Sequence, residues 1–70
     1  MKLHYYPETD SLYIELRGEP AKRTREIEPD VNLDLGADGS PVGYDIQHAS
    51  TKREIILSII FANEPQQAAE

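Results

Sequence analysis

Residues 31–46 read VNLDLGADGSPVGYDI, and how this stretch folds decides the architecture of the chain. Asp38-Gly39 at its centre suits a two-residue type I′ hairpin turn, because both central positions of that turn need positive φ and this pair tolerates it. Folding about the pair sets Leu35 opposite Val42, Leu33 opposite Tyr44 and Val31 opposite Ile46, all on one apolar face. The other face receives Asn32 with Asp45 and Asp34 with Gly43, all polar or small. Turn chemistry and side-chain alternation are independent signals, and here both specify an antiparallel hairpin.

The amino-terminal stretch MKLHYYPETDSLYIEL repeats the pattern. Pro7 to Asp10 reads as a four-residue loop, with Pro7 preset for the second position of a type I turn and Asp10 able to bond backbone beyond it. In that register Tyr5 faces Leu12, Leu3 faces Ile14 and Met1 faces Leu16. The opposite side carries Tyr6 with Ser11, His4 with Tyr13, and Lys2 with Glu15, an opposite-charge cross-strand pair. Alternation thus divides the tyrosine doublet: Tyr5 is expected to point into the core and Tyr6 outward.

Between the hairpins, GEPAK at 18–22 breaks any ladder, and a short third strand is expected near Thr24 to Glu28, with Ile27 as its apolar contribution. After Ile46 the period changes. Thr51 to Glu54 matches the T-x-x-E capping box, which predicts a helix from about Lys52 to Ala62. Ile55, Ile56, Ile59 and Ile60 recur at helical spacing and form the stripe that covers the sheet. The β-branched run EIILSIIF also fits a final strand. In either form Leu57 and Phe61 are surplus to one core, which predicts a homodimer with that apolar side covered by a partner copy. The expected fold is therefore α+β: an antiparallel sheet of two β-hairpins, four or five strands in all, with one C-terminal helix packed on one face. Residues 1–62 form the single domain, and 63–70 a flexible polar tail.

Seventy residues with 39% hydrophobic content allow one domain and a thin core. There is no cysteine, so neither disulfides nor thiolate metal sites supplement it. The first residues hold no apolar leader and no stretch of about 20 apolar residues occurs, so a cytoplasmic location and no membrane contact are expected. Thirteen acids against seven bases leave a net charge of −6, which repels phosphate backbones and disfavours nucleic acid as a partner. Lys22, Arg23 and Arg25, with Lys52 and Arg53, are the local exceptions, and short clusters of this kind are ordinarily solvated positions.

Zincin, P-loop, Rossmann and nucleophile-elbow motifs are absent. The segment from Asp34 to Asp45 overlays a calcium-loop template at Asp34, Asp38, Gly39 and Asp45, but Gly36 stands where an oxygen ligand belongs and strands flank it in place of helices. No metal and no cofactor are expected. His48, between strand and helix, has no second histidine at ligand spacing and reads as a local backbone hydrogen-bond partner or an exposed residue. The outer sheet face gathers His4, Tyr6, Tyr13 and Glu15, with Asp34 and Asp45 adding negative charge. A histidine, phenols and a carboxylate can perform general acid–base work, and a small hydrolase or nuclease-like enzyme using His4 with Tyr13 or Glu15 is the alternative reading. A flat sheet face lacks the concave, water-excluding pocket that such work requires, so these six residues are read as a partner-binding surface.

The run Y-x-P-E-x-D-x-L-Y-I, present as Tyr5, Pro7, Glu8, Asp10, Leu12, Tyr13 and Ile14, resembles the start of the small bacterial proteins grouped as the domain of unknown function 2283 family. Val31, Leu33, Asp34, Asp38, Gly39, Val42, Gly43, Ile46, Ala49 and Ser50 resemble the rest of its pattern. The chain departs from it at Tyr6, where the family usually carries an aspartate, and in the more polar segment Tyr44 to His48. The resemblance implies a cytoplasmic β-rich domain with no established catalysis, some members of which lie beside toxin-like partners. It therefore implies a non-enzymatic, antitoxin-like or regulatory binding role, with a basic protein as the partner that an acidic domain would mask.

Overall fold

The computed structural model describes residues 1–63. Five strands, β1 (Lys2–Tyr6), β2 (Ser11–Glu15), β3 (Arg23–Glu28), β4 (Val31–Leu35) and β5 (Pro41–Ile46), precede a 3-10 turn at Ala49–Thr51 and the helix α1 (Arg53–Asn63). They form one antiparallel sheet in the order β1-β2-β5-β4-β3. The two expected hairpins lie side by side, β5 against β2, and the third strand is the far edge.

The first hairpin has the register expected from its alternation, from Lys2 with Glu15 to Tyr6 with Ser11. Its loop begins with Thr9 N donating to Tyr6 O (3.3 Å), which puts Pro7 at the second turn position, and ends at Asp10 with φ 55°. In the second hairpin Leu33 faces Tyr44 and Val31 faces Ile46, as the pattern requires, but the turn differs. Gly39 alone of the Asp38-Gly39 pair has positive φ (82°). Gly39 N donates to Gly36 O (3.0 Å) and Gly36 N to Ser40 O (2.8 Å), so Ala37, Asp38 and Gly39 form a three-residue loop with glycine in the left-handed position. Asp38 spends its carboxylate on Ser40 N (2.9 Å) and on Arg17 (3.3 Å). The longer loop would slip every later pair by one residue. A register shift after Asp34 absorbs the slip, so Leu35 faces Pro41 rather than Val42 while the pairs nearer the core stay aligned.

Leu12, Ile14, Val31, Ile46, Ala49 and Ile59 form the buried cluster, Leu16, Tyr44, Ile55, Ile56 and Ile60 pack against it, and Val42 is buried as well. The helical reading of residues 53–63 thus holds, with the isoleucine stripe turned to the sheet and Leu57 and Phe61 exposed. Its start is corrected. Thr51 Oγ1 donates to His48 O (2.8 Å) within the 3-10 turn, so it does not cap the helix in a box with Glu54, and α1 begins at Arg53. Tyr5 is the other correction. It stands beside Leu12 on the helix-facing side, yet 51% of it is exposed, because β1 is the sheet edge; Tyr6, on the opposite side, is equally exposed at 52%. The predicted tail lies outside the described residues apart from Asn63, which closes α1.

Candidate functional site

Two loop-to-loop ties hold the sheet and the helix start together, and both involve residues that alternation could not assign. Asp10, in the left-handed conformation after the first turn, accepts Tyr5 Oη (2.7 Å), Ser50 Oγ (2.7 Å) and Ser50 N (3.1 Å), and its carbonyl accepts Ala49 N (2.8 Å). The hydroxyls of Ser50 and Tyr5 hold its carboxyl below the usual carboxylate range. This bridge spans forty residues of chain and clamps the first turn to the 3-10 turn. Across from it, His48 Nδ1 lies 3.0 Å from Asp30 Oδ2, and Gln47 N donates to Asp30 O (2.8 Å). His48 is thus exposed, as its sequence context suggests, but its ring bonds a carboxylate eighteen residues away rather than local backbone.

With the helix on one side, strand parity directs Lys2, His4 and Tyr6, then Ser11, Tyr13 and Glu15, to the other. Gly43 and Asp45, Asn32 and Asp34, and Thr24 and Glu26 continue that outer face across β5, β4 and β3. All six sequence-predicted residues therefore share one surface. His4 Nε2 lies 3.0 Å from Glu15 Oε1, so Glu15 pairs with the histidine diagonal to it and, against the sequence expectation, not with Lys2 directly across. Tyr13 Oη donates to Asp34 Oδ2 (3.0 Å), and Thr24 Oγ1 donates to Asp34 Oδ1 (2.8 Å). Asp45 Oδ1 accepts Gln47 Nε2 (3.1 Å), whose oxygen accepts Ser11 Oγ (3.0 Å). Tyr6 stands at the margin, half exposed.

Gly43 makes this arrangement possible. The ring and hydroxyl of Tyr13 lie over its Cα, where any Cβ would collide with them. The phenol reaches Asp34 only by crossing that gap. Burial, the hydrogen bond to Asp34 and the nearby charges of Asp34, Asp45 and Glu15 push the Tyr13 phenol up to about 12. At neutral pH Tyr13 is therefore a hydrogen-bond donor locked onto a carboxylate, and a poor proton acceptor.

Asp34 and Asp45 stand diagonally, each with its own donors, and among the described residues no group of three or more carboxylates and histidines is placed to hold a metal ion. Open hollows of about 530 and 320 Å³ lie at the two ends of α1, the first lined by Glu28 and Ser50 to Ile55, the second by Met1, Leu16, Pro41 and Asn63 among others. Neither takes a residue from the outer face. Of the five cationic residues noted above, Lys22 and Arg23 lie at one end of β3, whereas Lys52 and Arg53 share the first hollow with Glu28 and Glu54 at the other. No helix of the described residues is long and apolar enough to cross a membrane.

A five-stranded antiparallel sheet, helix on one side and a tied polar network on the other, defines a small α+β domain with an acidic-aromatic outer face. The chain belongs to the family described as Protein of unknown function (DUF2283), whose model matches residues 2–50. Compared with curated proteins and with solved structures, the chain gave no match. The matched span contains all five strands and stops at Ser50, the residue clamped by Asp10. Tyr5, Asp10, Gly43, Ala49 and Ser50 of the motif pattern thus acquire physical roles. For Asp10, Gly43, Ala49 and Ser50 the signal that could have found them was a polar or small residue to which hydrophobic alternation gives no role; Tyr5, which alternation sends to the core, gave no such signal.

Proposed function

We propose that this domain is a non-enzymatic binding module, of antitoxin-like or regulatory type, that presents the outer sheet face to a basic protein in the cytoplasm. One observation carries the reading: Glu15, Asp34 and Asp45 are each held by neighbouring donors on a single face, with Tyr6 half exposed at its rim. Carboxylates already oriented lose little conformational freedom on docking, and they complement a cationic partner. Exposed tyrosine adds contact area at low entropic cost. A basic partner is also what the net charge of −6 would steer toward the domain.

Co-purification of the tagged chain from its host, with the companion identified by mass, tests this. A basic companion should be captured by the unaltered chain and lost with Tyr6→Ala combined with Asp45→Asn, while Lys52→Ala combined with Arg53→Ala retains it. Tyr13 is a poor probe, since its phenol bridges β2 to β4. Equal capture by all three chains would overturn the reading, as would a turnover by the purified chain that disappears on His4→Ala.

A further inference from the structure

The two edges of the sheet are built differently. β3 reads RTREIE, is exposed at every residue, and is bulged between Glu26 and Glu28, all features that discourage another strand from adding. β1 reads KLHYY. It pairs with β2 without a register shift, it has no proline, and Leu3 and Tyr5 are both more than half exposed on the helix side.

Its unpaired backbone groups can be assigned. Leu16 N donates to Val42 O, so the even-numbered residues of β2 direct their amides to β5 and the odd-numbered ones to β1. Tyr13 faces His4, and hence Lys2, His4 and Tyr6 bond inward to β2, while the N–H and C=O groups of Leu3 and Tyr5 point away from the sheet. Among the described residues no strand lies on that side.

We propose that β1 is the seam of a two-fold dimer, pairing antiparallel with β1 of a second copy. Centred on His4, the register sets Leu3 against the second copy's Tyr5 and Lys2 against its Tyr6. The outward amides of Leu3 and Tyr5 then become a reciprocally bonded pair. Charge selects a second copy as the occupant. Two chains of net charge −6 repel each other except where carboxylates are missing, and β1 is the one strand of the five that carries none. An axis normal to the sheet keeps both helices on one side, so that Met1, Leu3 and Tyr5 of the two copies meet in one apolar layer. Asn63, in the last turn of α1 with the exposed Phe61, lines a hollow with Met1, which brings that turn to the same border. Stable interfaces bury about 1,200–2,000 Å² in total, more than two five-residue edges supply alone, so the seam requires this exposed layer to be buried with them. The outer faces of the two copies merge into one ten-stranded surface. The pairing is independent of what that surface binds, so either reading can fail alone.

Sedimentation equilibrium on the full chain should give a mass rising to twice that of one chain. Leu3→Lys, which places a charge on the helix side of the edge, should weaken association about tenfold or more, whereas Ile27→Lys on β3 should leave it within about twofold. In the unaltered chain, exchange at the amides of Leu3 and Tyr5 should slow as concentration rises, an outcome that decides the matter even if Leu3→Lys fails to fold. A monomer up to about 1 mM, a dimer that survives Leu3→Lys, or exchange at those two amides that ignores concentration would each overturn the seam.

Discussion

The two hairpins carry the same alternation and end in different surroundings. In the second, Val31 and Ile46 are completely buried; in the first, β2 buries Ile14 just as fully, but its partner β1 leaves Leu3 and Tyr5 half in water. The cause is position in the sheet. β4, β5 and β2 lie consecutively in the strand order and supply every strand residue of the core, while β1 is the edge beyond them. Alternation therefore reports which side a residue takes, and the strand order decides whether anything covers it.

The sharpest way to break this comparison is truncation at matched positions. Ile46→Ala should lower the free energy of unfolding by about 2–5 kcal/mol, since it empties a fully enclosed site, and most of the chain should unfold in urea far earlier. Leu3→Ala, measured at low concentration, should stay within about 0.5 kcal/mol of the unaltered chain. Equal losses would mean that the first hairpin is covered as well as the second.

A smaller effect should come from the outer face. Gly43→Ala forces a Cβ into the Tyr13 ring and should cost about 1–3 kcal/mol in the same urea experiment. Adding Tyr13→Ala removes the obstruction, so the double substitution should be less harmful than the sum of the two singles. Additive losses would show that the ring does not occupy that space.

Titration sharpens the comparison from within the first hairpin, which holds both a phenol, Tyr13 in β2, and a carboxyl, Asp10 in its loop, displaced from their ordinary values. The phenol of Tyr13 is raised in the folded chain to about 12, from an unfolded value near 10. Its stabilisation is complete below the unfolded value and disappears as pH climbs from about 10 toward about 12, so the urea midpoint should fall over that interval and Tyr13→Phe should flatten the fall. Asp10 behaves in the opposite sense. Its folded value is lowered by Ser50 and Tyr5, so its contribution is present above the unfolded value of about 3.9 and is lost as pH drops through the folded one. Asp10→Asn should lessen the acid sensitivity in that window. This is the smallest expected change, since the carboxylate is solvent-screened.

Much of the fold could be read from residue order. The cross-strand pairs away from the second loop, the side chosen by each strand residue, the isoleucine stripe at 55, 56, 59 and 60, and the common face of His4, Tyr6, Tyr13, Glu15, Asp34 and Asp45 all follow from periods of two and 3.6 that the backbone imposes locally. The turn at Ala37 to Gly39 is one residue longer than its sequence indicates, because Asp-Gly serves both two- and three-residue loops, and only a compensating bulge elsewhere in the ladder tells them apart.

What no local period could specify is which elements become neighbours. Whether β2 would meet β5, whether Tyr5 would be roofed by the helix, whether Asp10 would find Ser50 and whether Tyr13 would cross Gly43 to reach Asp34 depend on contacts between distant segments. Sequence by itself determined the strands of the two hairpins and their faces, because those preferences are settled within a few residues, and it left residues 52–62 open between helix and strand. The tertiary structure alone decided cover, edges and hydrogen-bond partners, because these depend on how the whole chain shares one small core.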